Sequence, residues 1–138
     1  YGVLQGAMLG LAMAVGGWTG LGLFLFQALI AVWQLELTNY VEHYGLTRRL
    51  LPNGKYEPVR PHHSWNAPHW FSSGLMLNAP RHSDHHAHPQ RPYPALRLPA
   101  ETDAPRLPWP LPMACMIALC PPLWKRAIRP HLAKWKTV

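Results

Sequence analysis

The first 47 residues contain no lysine, no arginine and no proline, and their only charged side chains are Glu36 and Glu42. That excludes an ordinary solvated surface, which carries charge along its whole length. Cysteine is nearly as scarce, with Cys115 and Cys120 alone. They form no Cys-x-x-Cys pair and supply no disulfide scaffold. Both are expected to be buried free thiols, because a cytoplasmic setting disfavours a structural disulfide. The chain also lacks a Gly-x-Ser-x-Gly elbow, a glycine-rich phosphate loop and a His-Glu-x-x-His motif, so nothing points to serine hydrolysis, P-loop chemistry or a zinc peptidase. The net charge of +7 alone would suit nucleic acid. The basic residues, however, are scattered among prolines and histidines, with no basic helix and no aromatic ribonucleoprotein motif, so no nucleic-acid partner is expected.

What the chain does have is a long apolar run. As one helix, Tyr1 to Leu35 would measure roughly 50 Å, more than a bilayer core of about 30 Å. The natural break is Gly16-Gly17-Trp18-Thr19-Gly20, which separates Val3–Val15 from Leu21–Thr38. The second segment is long enough to span a membrane, and the first reads as the tail of a truncated span. No basic residues precede it, which argues against a signal peptide. The chain is therefore expected to be a fragment of a multi-span helical protein, starting at Tyr1 inside apolar sequence. Arg48 and Arg49, with Lys55 and Arg60 after them, place the downstream region on the cytoplasmic side. The expected fold is all-α: membrane helices over residues 1–38, a proline- and histidine-rich cytoplasmic cap over 39–108, and a C-terminal segment over 109–138.

All sixteen prolines lie at Pro52 or beyond, so the cap should consist of short helical pieces and ordered loops. Trp65, Trp70, Phe71, Leu75, Met76 and Leu77 provide apolar anchors that a disordered segment would lack. Residues 69–86 would suit one helix except for Pro80, which predicts a kink or break there and a new short helix carrying the histidines. Leu111 to Trp124 is apolar but too short and proline-interrupted to span. With Lys125, Arg126 and Arg129 after it, it reads as a helix lying in the membrane interface or docked on the membrane domain, its cations reaching anionic headgroups.

Two histidine motifs carry the chemistry: Asn39-Tyr40-Val41-Glu42-His43-Tyr44-Gly45-Leu46 and Arg81-His82-Ser83-Asp84-His85-His86-Ala87-His88-Pro89. On a helix, the i, i+3, i+4 spacing of His82, His85 and His86 sets three imidazoles on one face, an arrangement suited to metal capture. His88 is rotated off that face. His43, at the end of the apolar segment where an ionisable group is costly without a task, is the fourth candidate ligand. Glu42 and Asp84 adjoin these ligands and are positioned to accept a second ring N–H or to bind metal directly. His62, His63 and His69 sit among prolines and read as loop residues. Imidazoles near their ordinary pKa of about 6.5 predict metal release below about pH 6.

These motifs resemble those of the alkane 1-monooxygenases, integral-membrane non-haem di-iron hydroxylases related to the membrane fatty acid desaturases. The match rests on Asn39, Tyr40, Glu42, His43, Tyr44 and Gly45, on Arg81 to Pro89, and on the segment His63-Ser64-Trp65-Asn66. It covers the C-terminal third of such an enzyme. The resemblance implies a bacterial inner-membrane, multi-pass protein. His43, His82, His85 and His86 would be iron ligands of a two-iron centre, with Glu42, Asp84 and His63 around them and the remaining ligands upstream. It implies hydroxylation of an alkane's terminal methyl with O2 and electrons from rubredoxin, an acidic protein that Arg48, Arg49, Lys55, Arg60, Arg91 and Arg97 would steer. Asn78-Ala79-Pro80 departs from the family's pattern before the second motif. Related oxygenases acting on xylene or fatty acyl chains share the chemistry. A non-catalytic metal-binding or transport protein would need a polar path, and Gln5, Thr19, Gln27 and Gln34 make a poor one.

Overall fold

A computed structural model describes residues 1–135 of the chain. It divides into two compact units, residues 1–36 and residues 37 onward. Helix α1, Gly2–His43, supplies all of the first unit and the opening of the second.

Within the first unit α1 breaks at Gly17, whose φ of 58° and ψ of −149° only glycine adopts without strain. Three residues on, a Cβ at Gly20 would sit 2.5 Å from the Ala12 carbonyl oxygen, so only hydrogen fits where the two halves meet. Leu9, Ala12 and Met13 are half-buried there, as are Gly20, Leu21 and Phe24. Elsewhere Leu4, Leu11, Leu23, Phe26, Leu29, Val32 and Leu35 are exposed all round. A helix apolar on every side buries itself in protein or lipid, and α1 is long and apolar enough to cross a membrane, with a mean hydropathy of 1.7.

The second unit is built around Val41, Trp65, Ala67, Leu107, Leu111, Ala114, Ala118, Trp124, Ile128 and Leu132. Its helices are the end of α1, α2 (Trp70–Leu75), α3 (His82–Ala87), α4 (Leu111–Ala118) and α5 (Pro121–Ala133), with short 3-10 turns at Pro61–His63 and Tyr93–Ala95. Among the described residues there is no strand, only isolated bridges pairing Leu50 with Tyr56 and Asn66 with Arg106. Trp65 ties the loop region to α1: its backbone N–H donates to the Glu42 carbonyl at 2.8 Å, and its Nε1–H to the Tyr44 carbonyl at 2.9 Å.

The break expected at Pro80 comes earlier. Helix α2 ends at Leu75, and the chain turns through Leu77 and Asn78, at φ 51° and 66°. The N–H of Asn78 reaches the Ser73 carbonyl at 2.6 Å, closing the turn before the proline is reached. Helices α4 and α5 dock on the core through Leu111, Ala114, Ala118, Trp124, Ile128 and Leu132. Both cysteines are free, as expected, but only Cys115 is partly buried; Cys120, at the α4–α5 turn, is exposed.

Gly45 is required twice over. Its φ is +74°, and a Cβ there would lie 2.5 Å from Leu132 Cδ2. Gly45→Ala should cost about 2 kcal/mol, read as a lower thermal midpoint by circular dichroism in detergent; an unchanged midpoint would contradict this close approach.

Candidate metal centre

Helix α1 delivers His43 in its last turn and α3 delivers His82 and His86 one turn apart. Their Nε2 atoms converge: His43 to His82 is 3.1 Å and His82 to His86 is 2.9 Å. Imidazole nitrogens bound at about 2.0–2.1 Å to a common ion lie roughly 3 Å apart, so the spacing fits a metal. The partners of the opposite ring nitrogens favour the same conclusion. His82 Nδ1 lies 3.3 Å from Glu42 Oε2, and Glu42 is only 4% exposed. His43 Nδ1 lies 3.4 Å from the Ser64 hydroxyl. With Nδ1–H of His82 donating to Glu42, its Nε2 carries a lone pair aimed at the other two nitrogens, an arrangement that a cation relieves. A cavity of about 350 Å³, lined by His43, Leu46, Arg48, Val59, His63, Ser64 and His86, lies beside the cluster.

His85 stands apart from this triad. Its ring stacks on Tyr93 at 5.1 Å between centroids, and its Nδ1 is buried with no hydrogen-bond partner. Its ring remains 6.0 Å from that of His82 and 5.7 Å from that of His86.

Asp84 does not orient a ligand imidazole. At about 100° per residue it projects roughly 200° from His82, which carries it to the side His88 occupies. There it accepts from His88 Nδ1 at 2.8 Å and from the Arg97 N–H at 2.7 Å, and pairs with Arg91. The result is an anchor for the back of α3, and it gives His88 and Arg91 structural tasks. His63 lines the cavity beside the cluster, but its ring nitrogens are engaged elsewhere: Nδ1 accepts the Arg60 N–H at 2.9 Å, and Nε2 lies 3.3 Å from Glu57 Oε1. Glu57, His62 and His63 form a second cluster. Glu57 Oε1 also accepts the Arg49 N–H at 2.9 Å, and Arg49 Nε lies 3.6 Å from Oε2, so this cluster works as a latch on the loop.

The spacing of histidines did not disclose Asn66 and Ser83. Asn66 is fully buried, and its Nδ2 donates to Ser83 Oγ at 2.7 Å while its Oδ1 accepts the Ser83 N–H at 3.1 Å. The Ser83 hydroxyl in turn reaches the carbonyls of Pro61 at 2.6 Å and Ser64 at 2.9 Å. This node clamps the first turn of α3 to the segment that holds His43. Only the resemblance of His63-Ser64-Trp65-Asn66 marked that segment beforehand.

Burial, reinforced by the imidazoles of His86, His43 and His85, pushes His82 down to about 3. His86 is lowered as well, by burial and then by His43. Acid therefore acts first on the unfolded chain. A histidine whose folded pKa is depressed contributes stability that is complete above its unfolded value of about 6.5 and is lost as pH falls toward the folded value. His82 and His86 should thus cost the metal-free protein thermal stability from about pH 6.5 downward, opposed in part by the neighbouring Glu42, which burial pushes up to about 8, and His82→Gln should flatten or reverse that slope. Parallel profiles for the two proteins would show that His82 is not the group responsible.

Comparison with known proteins places the chain in a family. The chain is 44% identical over 130 residues to alkane 1-monooxygenase 1 of Pseudomonas aeruginosa, covering 91% of this chain and 34% of that protein. It is 45% identical over 103 residues to alkane 1-monooxygenase 1 of Alcanivorax borkumensis, covering 75% and 25%. To the xylene/toluene monooxygenase hydroxylase component of Pseudomonas putida it is 34% identical over 137 residues, covering 98% and 35%. The chain spans about a third or less of the length of these relatives. The family model for fatty acid desaturases matches residues 2–115, a stretch that takes in α1 and every histidine of the cluster, and the chain belongs to the fatty acid desaturase family.

Proposed function

We propose that this chain carries part of the di-iron site of a membrane monooxygenase that hydroxylates the terminal methyl group of alkanes. The observation that carries the reading is the convergence of three imidazole nitrogens, from His43, His82 and His86, at separations that match ligands of one ion. His85, with a buried Nδ1 that lacks a partner, is assigned to the second ion. The remaining ligands come from outside these 138 residues, in keeping with the greater length of the relatives.

Iron bound there would supply the redox chemistry of O2 activation, which zinc could not. The overall reaction consumes an alkane, O2, two electrons and two protons and yields a primary alcohol and water. The chain's own groups prepare the site. Glu42 holds the Nδ1 proton of His82, Ser64 meets Nδ1 of His43, and both keep the Nε2 lone pairs pointed inward. The low exposure of Glu42 and Val41 keeps that side of the site dry. The exposed apolar side chains of α1 suit a bilayer, the phase in which a hydrocarbon substrate dissolves.

The histidines face the cytoplasm of the bacterial inner membrane in this reading, supported by Arg48 and Arg49 just beyond α1. Rubredoxin is the proposed electron donor. Arg91 drops out of its docking surface, since it is engaged with Asp84; Lys55, Arg60 and Arg97 are exposed and stay in it. The likeness to a xylene/toluene monooxygenase component favours one second reading, an aromatic methyl group as substrate.

The test is turnover by the full-length protein in vesicles with reduced rubredoxin, ¹⁸O2, octane and p-xylene. The proposal predicts ¹⁸O in 1-octanol, with octane consumed faster than xylene. Faster xylene oxidation would move the substrate to the second reading, and an alkene product without ¹⁸O would replace hydroxylation by desaturation.

A further inference from the structure

We propose that the pocket between Tyr44 and α5 binds the phosphate headgroup of an anionic phospholipid. Tyr44, Lys125, Arg126, Arg129 and Leu132 line a cavity of about 500 Å³. The three cations stand at i, i+1 and i+4 on α5 and are exposed, while Trp124, Ile128 and Leu132 fix the helix to the core. None of them is paired with a carboxylate among the described residues. Three like charges within about one turn repel one another, and a bound anion relieves that repulsion.

The position along α1 favours a lipid as the source of that anion. Helix α1 continues only five residues past Thr38, where the apolar run ends, to His43, or about 8 Å of rise, and Tyr44 follows directly. Headgroups extend a bilayer by about 5–8 Å beyond its core on each side. The Tyr44 ring lies edge-on to Tyr40 at 5.3 Å and to Trp124 at 5.7 Å, an aromatic group of the kind that settles at this level. On the adjoining α4 and α5, Met113, Met116, Leu119 and Leu123 are 51%, 68%, 45% and 52% exposed. Apolar side chains laid bare beside a cluster of cations form the pattern of a helix resting in the interface. The pocket is separate from the histidine cluster and does not depend on a metal there.

Native mass spectrometry of the full-length protein, with equimolar phosphatidylglycerol and phosphatidylcholine in detergent, tests this directly. Wild type should retain phosphatidylglycerol selectively, equally with metal bound or chelated. Affinity should fall by about fivefold for each cation removed across K125A, K125A/R126A and K125A/R126A/R129A, while R48A/R49A keeps the selectivity. These side chains are exposed, so the variants should keep the wild-type thermal midpoint. Equal retention of both lipids, or unchanged selectivity in the triple variant, would overturn the proposal. So would full displacement of the lipid by inorganic phosphate at equal concentration, which would make this a free-anion site. Loss of an acidic redox protein's binding in the triple variant, with lipid retention intact, would overturn it in favour of a protein partner.

Discussion

His82→Ala should abolish hydroxylation by the full-length enzyme and weaken metal binding at the cluster by more than about 100-fold. His82 is the hinge of the triad, its Nε2 lying 3.1 Å from that of His43 and 2.9 Å from that of His86, whereas its Nδ1 meets Glu42. Losing even the group that orients a ligand histidine typically costs 10–100-fold in metal affinity, and removing the ligand itself costs more. Glu42→Gln should fall within that smaller range, since the amide keeps an acceptor for the Nδ1–H but cannot ionise when a cation binds. His85→Ala should lower the number of ions bound without disturbing the triad. The measurement is metal content and dissociation constant by plasma mass spectrometry and competitive chelation. Wild-type affinity in His82→Ala would remove His82 from the ligand set.

Asn66→Ala should destabilise the second unit by about 3–5 kcal/mol and loosen metal binding at the same time. The side chain is fully buried and links Ser83 Oγ, the Ser83 N–H and the carbonyls of Ser64 and Pro105. Truncation strands several of these groups away from water, at about 1–3 kcal/mol each. Because Ser83 lies between His82 and Asp84 on α3, the loss should reach the metal ligands as well as the fold. Thermal melting of the metal-free protein reads the first effect and titration with metal the second. A melting shift with unchanged metal affinity would reduce Asn66 to a purely structural role, and no shift at all would contradict the node.

The legible part of this molecule is the part governed by local periodicity. The spacing of His82, His85 and His86 anticipates α3 and the face it presents, and the glycine-rich stretch around Gly17 anticipates the bend of α1. The same periodicity, carried one step further, would have placed Asp84 on the far side of α3 with His88; adjacency along the chain suggested otherwise. His85 illustrates a different limit. A shared helical face brings a ring near the cluster, but tertiary packing against Tyr93 decides where its nitrogens end up. Contacts between distant segments left no trace in spacing. The pairing of Asn66 with Ser83, of Ser64 with His43 and of Glu57 with His63 depends on how loops rich in proline are laid over one another. Likewise, nothing local warned that α2 would stop at Leu75, because the stop depends on Leu77 and Asn78 adopting left-handed backbone.

X-ray absorption at the iron edge of the iron-loaded full-length protein tests the central claim most directly. A first shell dominated by nitrogen at about 2.0–2.2 Å, with the multiple scattering of imidazole rings that drops measurably in His43→Ala and His82→Ala, is the result expected from the convergence of His43, His82 and His86. A shell of sulfur or of oxygen alone, or an imidazole signal unchanged in both variants, would show that these histidines do not hold the iron.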